Sequence, residues 1–203
     1  MGEMAEIRPE TYLGRKTLIL GDINTGKTTL TRKVLEALLC RRDLGGRIAI
    51  VDMAPEIPEK LASEKGLVGV GGKLMPPEGH GILYLGGHFE PPRLSSKTEE
   101  EAMEKARQNR RILDGLFLTL DLQSRHILLV NDVSIYLQAG TAKNLTRWLD
   151  RAATVIANGY WGKRLGGGTL TERERTETVK LKDYYERKGR VLILEPRQLL
   201  LHP

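Results

Sequence analysis

Disulfide chemistry has nothing to work with in this chain, because Cys40 is its only cysteine. That excludes a cross-linked secreted scaffold and fits a reducing interior, so a cytoplasmic protein is expected. Long apolar runs are missing too. No uncharged stretch approaches the roughly 18–20 residues a membrane span needs, and no membrane partner is expected. The opening MGEMAEIRPETY is polar and acidic, unlike a secretory signal. Aromatic residues make up only 5%, too few for an extensive base-stacking platform, so nucleic acid is a disfavoured partner. Amides are sparse as well, with five Asn and four Gln, a composition that suits a thermophilic origin.

What is present is the composition of one folded domain spanning 1–203, with 40% hydrophobic and 29% charged residues. Basic residues outnumber acidic ones 32 to 26, which favours encounter with anions such as nucleotides or phosphorylated metabolites. Short apolar runs at 17–20, 48–52, 81–86, 126–132, 154–158 and 190–195 read as strands. They are continuous rather than alternating, as expected of parallel strands covered on both faces. Helical patterns lie between them at about 27–42, 98–122 and 142–152, with a fourth after residue 171. Ser96 to Glu99 and Thr171 to Glu174 read as capping boxes. Strand–helix alternation predicts an α/β three-layer sandwich with a mainly parallel sheet. Residues 53–80 carry Gly66, Gly69, Gly71, Gly72, Pro76 and Pro77, so 53–96 reads as a loop or acceptor-site excursion.

The most informative segment is Gly21-Asp22-Ile23-Asn24-Thr25-Gly26-Lys27-Thr28, which matches the pattern G-x-x-x-x-G-K-[ST] between a strand and a helix. Glycines there let backbone amides approach phosphate oxygens, and successive N–H groups converge at the helix start. Gly21, Asp22, Asn24, Thr25, Gly26, Lys27, Thr28 and Thr29 are the candidate phosphate binders. Lys27 would neutralise phosphate charge, and Thr28 would offer its hydroxyl to Mg²⁺.

With this loop and the continuation GKTTLTRKVLEALLCRRDLGGRIAIVDMAP, the chain resembles the P-loop NTPase superfamily, in its kinase and dimeric-NTPase branch. Polynucleotide 5′-hydroxyl kinases and metallochaperone-type GTPases share this opening. The resemblance implies that Asp52, at the end of the second strand, works near Mg²⁺ or the attacking group. It also raises a homodimer as an expectation, since members of that branch often dimerise across the nucleotide.

Asp132, after HILLVND, reads as a second carboxylate for Mg²⁺ at the sheet's carboxyl edge, or as a turn-starting residue. Asn158 reads as a contact to a purine edge with Tyr160 or Trp161 stacking, or as a plain strand end. The GTPase sequence Asn-Lys-x-Asp is absent there, which favours ATP over GTP. Residues 159–176 read as a lid bearing Lys163 and Arg164, or as a surface loop. Arg93, behind Pro91-Pro92, is a candidate contact to phosphate or carboxylate through its planar fork.

The resulting expectation is an enzyme that binds a nucleoside triphosphate with Mg²⁺ and cleaves its γ-phosphate, Lys27, Asp52 and Arg93 being catalytic. The alternatives are a kinase acting on a polynucleotide 5′-hydroxyl or a small metabolite, and a slow switch that binds a protein partner.

Overall fold

The computed structural model describes residues 7–41, 43–57, 63 and 72–196. Gly66, Gly69 and Gly71, and with them the middle of the expected excursion, lie outside the described residues.

Six strands form one parallel sheet: β1 (Lys16–Gly21), β2 (Ile48–Asp52), β3 (Leu83–Gly86), β4 (Ile127–Asn131), β5 (Thr154–Tyr160) and β6 (Arg190–Leu194). Their order is β3-β2-β4-β5-β1-β6, and every pairing is parallel. The four central strands are buried on both faces, which is why their sequences are unbroken apolar runs. Alternation then sends successive residues to opposite layers. Ile48, Ile50, Ile127, Leu129 and Ile156 face α1 (Lys27–Leu39), packing with its Val34, Leu35 and Leu38. Leu18, Leu20, Val51, Leu128, Val130 and Val155 face the larger layer.

That second layer holds α3 (Glu99–Leu118), α5 (Ala142–Leu149) and α6 (Thr169–Lys188). It also holds two four-residue turns of helix, α2 (Pro92–Ser95) and α4 (Ser134–Leu137), which the sequence patterns do not announce. Phe117 stacks on Trp148 and meets Tyr136 edge-on, tying α3, α4 and α5 together. The fold is thus an α/β three-layer sandwich.

Helix starts differ in detail from the expected capping boxes. α3 is capped by Thr98, whose Oγ1 accepts from Glu101 N, while Glu101 accepts from Lys97 N, so the box sits two residues later than Ser96. α6 begins at Thr169, because Gly168 adopts a conformation open only to glycine, and Thr171 lies inside the helix. Segments 53–57 and 72–80 carry no strand or helix, as expected of an excursion. No described helix is long and apolar enough to cross a membrane.

Candidate functional site

The loop after β1 turns on itself at the sheet's carboxyl edge. Gly21 is a glycine because a Cβ there would stand 2.5 Å from Thr25 Oγ1 and 2.7 Å from the Leu194 carbonyl oxygen. Gly26, just before α1, has φ +87°, a left-handed conformation that opens the loop before the helix begins. Asn24 is also left-handed, at φ 57°. Within the loop, Thr25 Oγ1 donates to the Asp22 carbonyl at 2.9 Å, and Ile23 N donates to Asp22 Oδ1 at 2.6 Å. Lys27 Nζ folds back onto the same Asp22 carbonyl at 2.6 Å.

The loop borders a cavity of about 440 Å³ lined by Asn24, Gly26, Lys27, Thr28, Thr29 and Arg32, and across from them by Asn131, Asp132, Asn158 and Tyr160. Asp132 is half-buried and left-handed at φ 59°, a strained position for a non-glycine residue. Burial pushes its carboxyl up from the ordinary range, against the pull of the nearby Lys27 and Arg93 cations. Burial pulls the Lys27 ammonium down, opposed by Asp132 and Asp22. The two groups therefore sit as a mutually compensating pair in the cavity wall.

Behind that wall runs a chain of hydrogen bonds across three neighbouring strand ends. Register places Asp52 beside Asn131, and Asn158 follows the Ala157 that pairs with Val130. Asn131 Nδ2 donates to Asp52 Oδ1 at 2.9 Å and to the Gly72 carbonyl at 2.9 Å. Asn131 Oδ1 accepts from Thr28 Oγ1 at 3.2 Å and from Asn158 Nδ2 at 2.9 Å. Asn158 Nδ2 also reaches Thr31 Oγ1 at 2.9 Å, and its Oδ1 accepts from Asp132 N at 3.0 Å. Asn131 thus joins the loop's threonine to the sheet, a role the sequence did not reveal. The signal was there in the scarcity of amides: of five asparagines, one ends β4 and another lies in the last three residues of β5.

Three expectations need correction. Asp52 is fully buried, and both its oxygens are occupied: Oδ1 by Ala54 N and Asn131, Oδ2 by Leu74 N at 2.6 Å and Tyr84 Oη at 3.0 Å. It is not among the residues lining the cavity and anchors segment 72–74 instead, so it stands behind the site rather than at Mg²⁺. Asn158 is 1% exposed with its donors and acceptor engaged, so it braces the wall and is not placed to read a purine edge. Arg93 is not a free cation: its Nη2 pairs with the buried Glu174, and its guanidinium lies over the Tyr160 ring at 5.8 Å.

The expected lid segment follows β5. Its Leu165 N donates to Tyr160 Oη at 3.0 Å, and Arg164 Nε stands 4.0 Å from Asp22 Oδ2. Gly162 packs on the Asp22 carboxylate where a Cβ would collide. Lys163 is exposed. Arg173 donates to the Ala139 and Gly140 carbonyls instead of facing the cavity.

Fold and loop together define an α/β three-layer sandwich whose first strand leads through a glycine-bounded turn into α1. No family model matches the chain, and no curated protein matches it. Among solved structures it is similar to the flagellar accessory protein FlaH from Methanocaldococcus jannaschii, at 12% identity and TM-score 0.44, covering 86% of this chain and 75% of that one. It is also similar to the Pif1 helicase from Candida albicans, at 13% identity and TM-score 0.40, covering 90% of this chain and 36% of the helicase. Likenesses this distant say nothing about what the chain binds.

Proposed function

We propose that the protein binds a nucleoside triphosphate, ATP in preference to GTP, together with Mg²⁺, and cleaves its γ-phosphate. The observation that carries this is the left-handed Gly26 turn opening α1, with Lys27 and Thr28 facing Asp132 across one cavity. Amides of the first helical turn and the Lys27 ammonium attract phosphate oxygens. On binding, Lys27 exchanges the Asp22 carbonyl for phosphate, an ion pair in place of a neutral contact. Thr28 Oγ1 and the Asp132 carboxylate are hard oxygen donors on the same cavity, which with phosphate oxygens and water suits Mg²⁺. Among the described residues no cluster of three His, Cys, Asp or Glu offers a cage for a metal held by protein alone. Bound there, Mg²⁺ would draw charge from the β- and γ-phosphates. Asn131 sets the Thr28 hydroxyl, Asn158 fixes the Asp132 backbone, and Asp52 holds Asn131.

Lys27→Ala tests the reading. Calorimetry with ATP and Mg²⁺ should show affinity falling by about 100-fold or more while circular dichroism is unchanged; a 100-fold loss corresponds to about 2.7 kcal/mol. Equal affinity in the two proteins would remove the proposal. Transfer of the phosphoryl group to an acceptor other than water is favoured by one observation, a second cavity that adjoins the first.

A further inference from the structure

Three ionisable side chains line the cavity beside the β1–α1 loop: Lys27, Arg32 and Asp132. Lys27 and Asp132 offset each other, each opposing the effect of burial on its partner. Arg32 has no such counterpart. Among the described residues no carboxylate pairs with it, and its one hydrogen bond runs from Nη2 to the Lys73 carbonyl at 2.8 Å. A guanidinium carries five N–H donors in a fixed planar fork, so most of them are left over. Arg32 is exposed, which keeps those donors within reach of a ligand in the cavity.

The helix sets this cation at one end of the cavity. Arg32 follows Thr28 by four residues, so both stand on one face of α1, about 6 Å apart along its axis. Thr28 is the residue whose hydroxyl meets Asn131 at 3.2 Å. Beside Arg32 the wall continues through Gly72 and Ala54. Segment 72–74 is held from three directions. The Gly72 carbonyl accepts from Asn131 Nδ2 at 2.9 Å, and Leu74 N donates to Asp52 Oδ2 at 2.6 Å. Lys73 Nζ donates to the Ala54 carbonyl at 2.7 Å. The carbonyl that Arg32 grips is therefore fixed, and it keeps the guanidinium at the cavity's rim. The buried Asp52 network thereby sets where Arg32 stands.

We infer that Arg32 binds the terminal phosphate of the nucleotide and lets the site separate a triphosphate from a diphosphate. The inference rests on the triphosphate reading of the loop. In that reading the loop amides and Lys27 serve phosphates at the start of α1, and Mg²⁺ at Thr28 and Asp132 marks the β,γ end. A cation one turn beyond Thr28, on the same face, meets the outermost phosphate. With one Nη2 proton kept on Lys73, a complete two-pronged edge of the guanidinium remains for two phosphate oxygens. A diphosphate leaves that edge in water. Charge points the same way, because each further phosphate adds negative charge and Arg32 is the uncompensated cation of the wall.

The test is calorimetry on the full chain with Mg²⁺, titrating ADP and an ATP analogue with an imido β,γ-bridge, so that nothing is cleaved. The wild type should bind the analogue more tightly than ADP. Arg32→Ala should lower affinity for the analogue by about tenfold or more, and for ADP by less than about twofold. Arg32→Lys, which keeps the charge without the fork, should fall between. Lys27→Ala should weaken both nucleotides, since its ammonium serves the β-phosphate as well. Urea unfolding of Arg32→Ala identifies a merely structural role: a guanidinium that only braced segment 72–74 would lower the midpoint and weaken both nucleotides alike. Equal loss for both nucleotides, or loss for neither, would overturn the inference and leave the triphosphate reading standing. So would a wild type that binds the two equally well. Failure of the wild-type chain to bind either nucleotide would overturn both.

Discussion

Asn131 and Asp132 are consecutive residues, yet they belong to polar clusters of opposite character. Asn131 sits in the chain Asp52–Asn131–Asn158, where each carboxylate and amide oxygen and both amide nitrogens have partners within the protein. Asp132 faces the cavity side, near Arg93, Gln138 and Glu174, where two buried polar atoms have none among the described residues and a positive φ strains the backbone. The first cluster is buried wiring between strand ends and α1. The second is incomplete as the protein stands. The difference teaches how one sheet edge divides its polar groups: a fully satisfied network holds position, and a partly satisfied one carries the cost of its unmatched atoms.

The largest effect should come from breaking the satisfied side. Asp52→Ala leaves four donors without their acceptor in a fully buried place, including Leu74 N and Tyr84 Oη. The expected loss of folding stability is on the order of 3–5 kcal/mol, read by urea unfolding. A loss under about 1 kcal/mol would mean that the cluster is not scaffolding. The Lys27→Ala loss of ATP affinity is comparable in free energy but spares the fold, since the ammonium bonds a carbonyl of its own loop, that of Asp22. Gln138→Leu comes next. It removes one bond to Glu174 and one unmatched oxygen together, so stability should change by less than about 1 kcal/mol. If it costs as much as Asp52→Ala, the contrast between the clusters fails.

The sheet was legible because a parallel strand covered on both faces must be apolar along its whole length. Each of the six runs became a strand, with ends within about two residues of the expected ones. β5 runs on through Gly159 and Tyr160, where Gly159 packs against Val133 and Ser134 too closely for a side chain. The turn between β1 and α1 was legible because its geometry is local, set by glycines at fixed spacing. Asp52 and Asn158 were misjudged for the opposite reason. A strand's carboxyl end does face the ligand edge, but whether its last polar residue meets ligand or protein depends on strand order and on what covers it. Here β5 lies between β1 and β4, which puts Asn158 beside Asn131 and under Thr31 of α1. Neither fact is written near Asn158 in the chain. Glu174, the partner of Arg93, lies 81 residues away from it and read as the acid of a capping box.

The smallest effect sharpens the satisfied side through pH. Tyr84 donates to Asp52 Oδ2, and burial together with that carboxylate holds its hydroxyl neutral well above the ordinary tyrosine range. Tyr84→Phe removes one of the four donors and should lower stability at pH 7 by about 1 kcal/mol. The sign of the pH dependence follows from the raised folded value. Below the unfolded tyrosine pKa of about 10, both states keep the proton and the full difference between wild type and variant is present. As pH rises past about 10, the unfolded wild-type chain ionises Tyr84 while the fold still holds the proton. The wild type's advantage then shrinks by up to about 1.4 kcal/mol per pH unit. Urea unfolding of both proteins at about pH 7, 9 and 10.5 reads this directly, because the other tyrosines are common to both chains and cancel in the difference. A gap that stayed constant to about pH 10.5 would mean that Asp52 does not face the Tyr84 hydroxyl, and the closed network behind the β1–α1 loop would lose its outermost member.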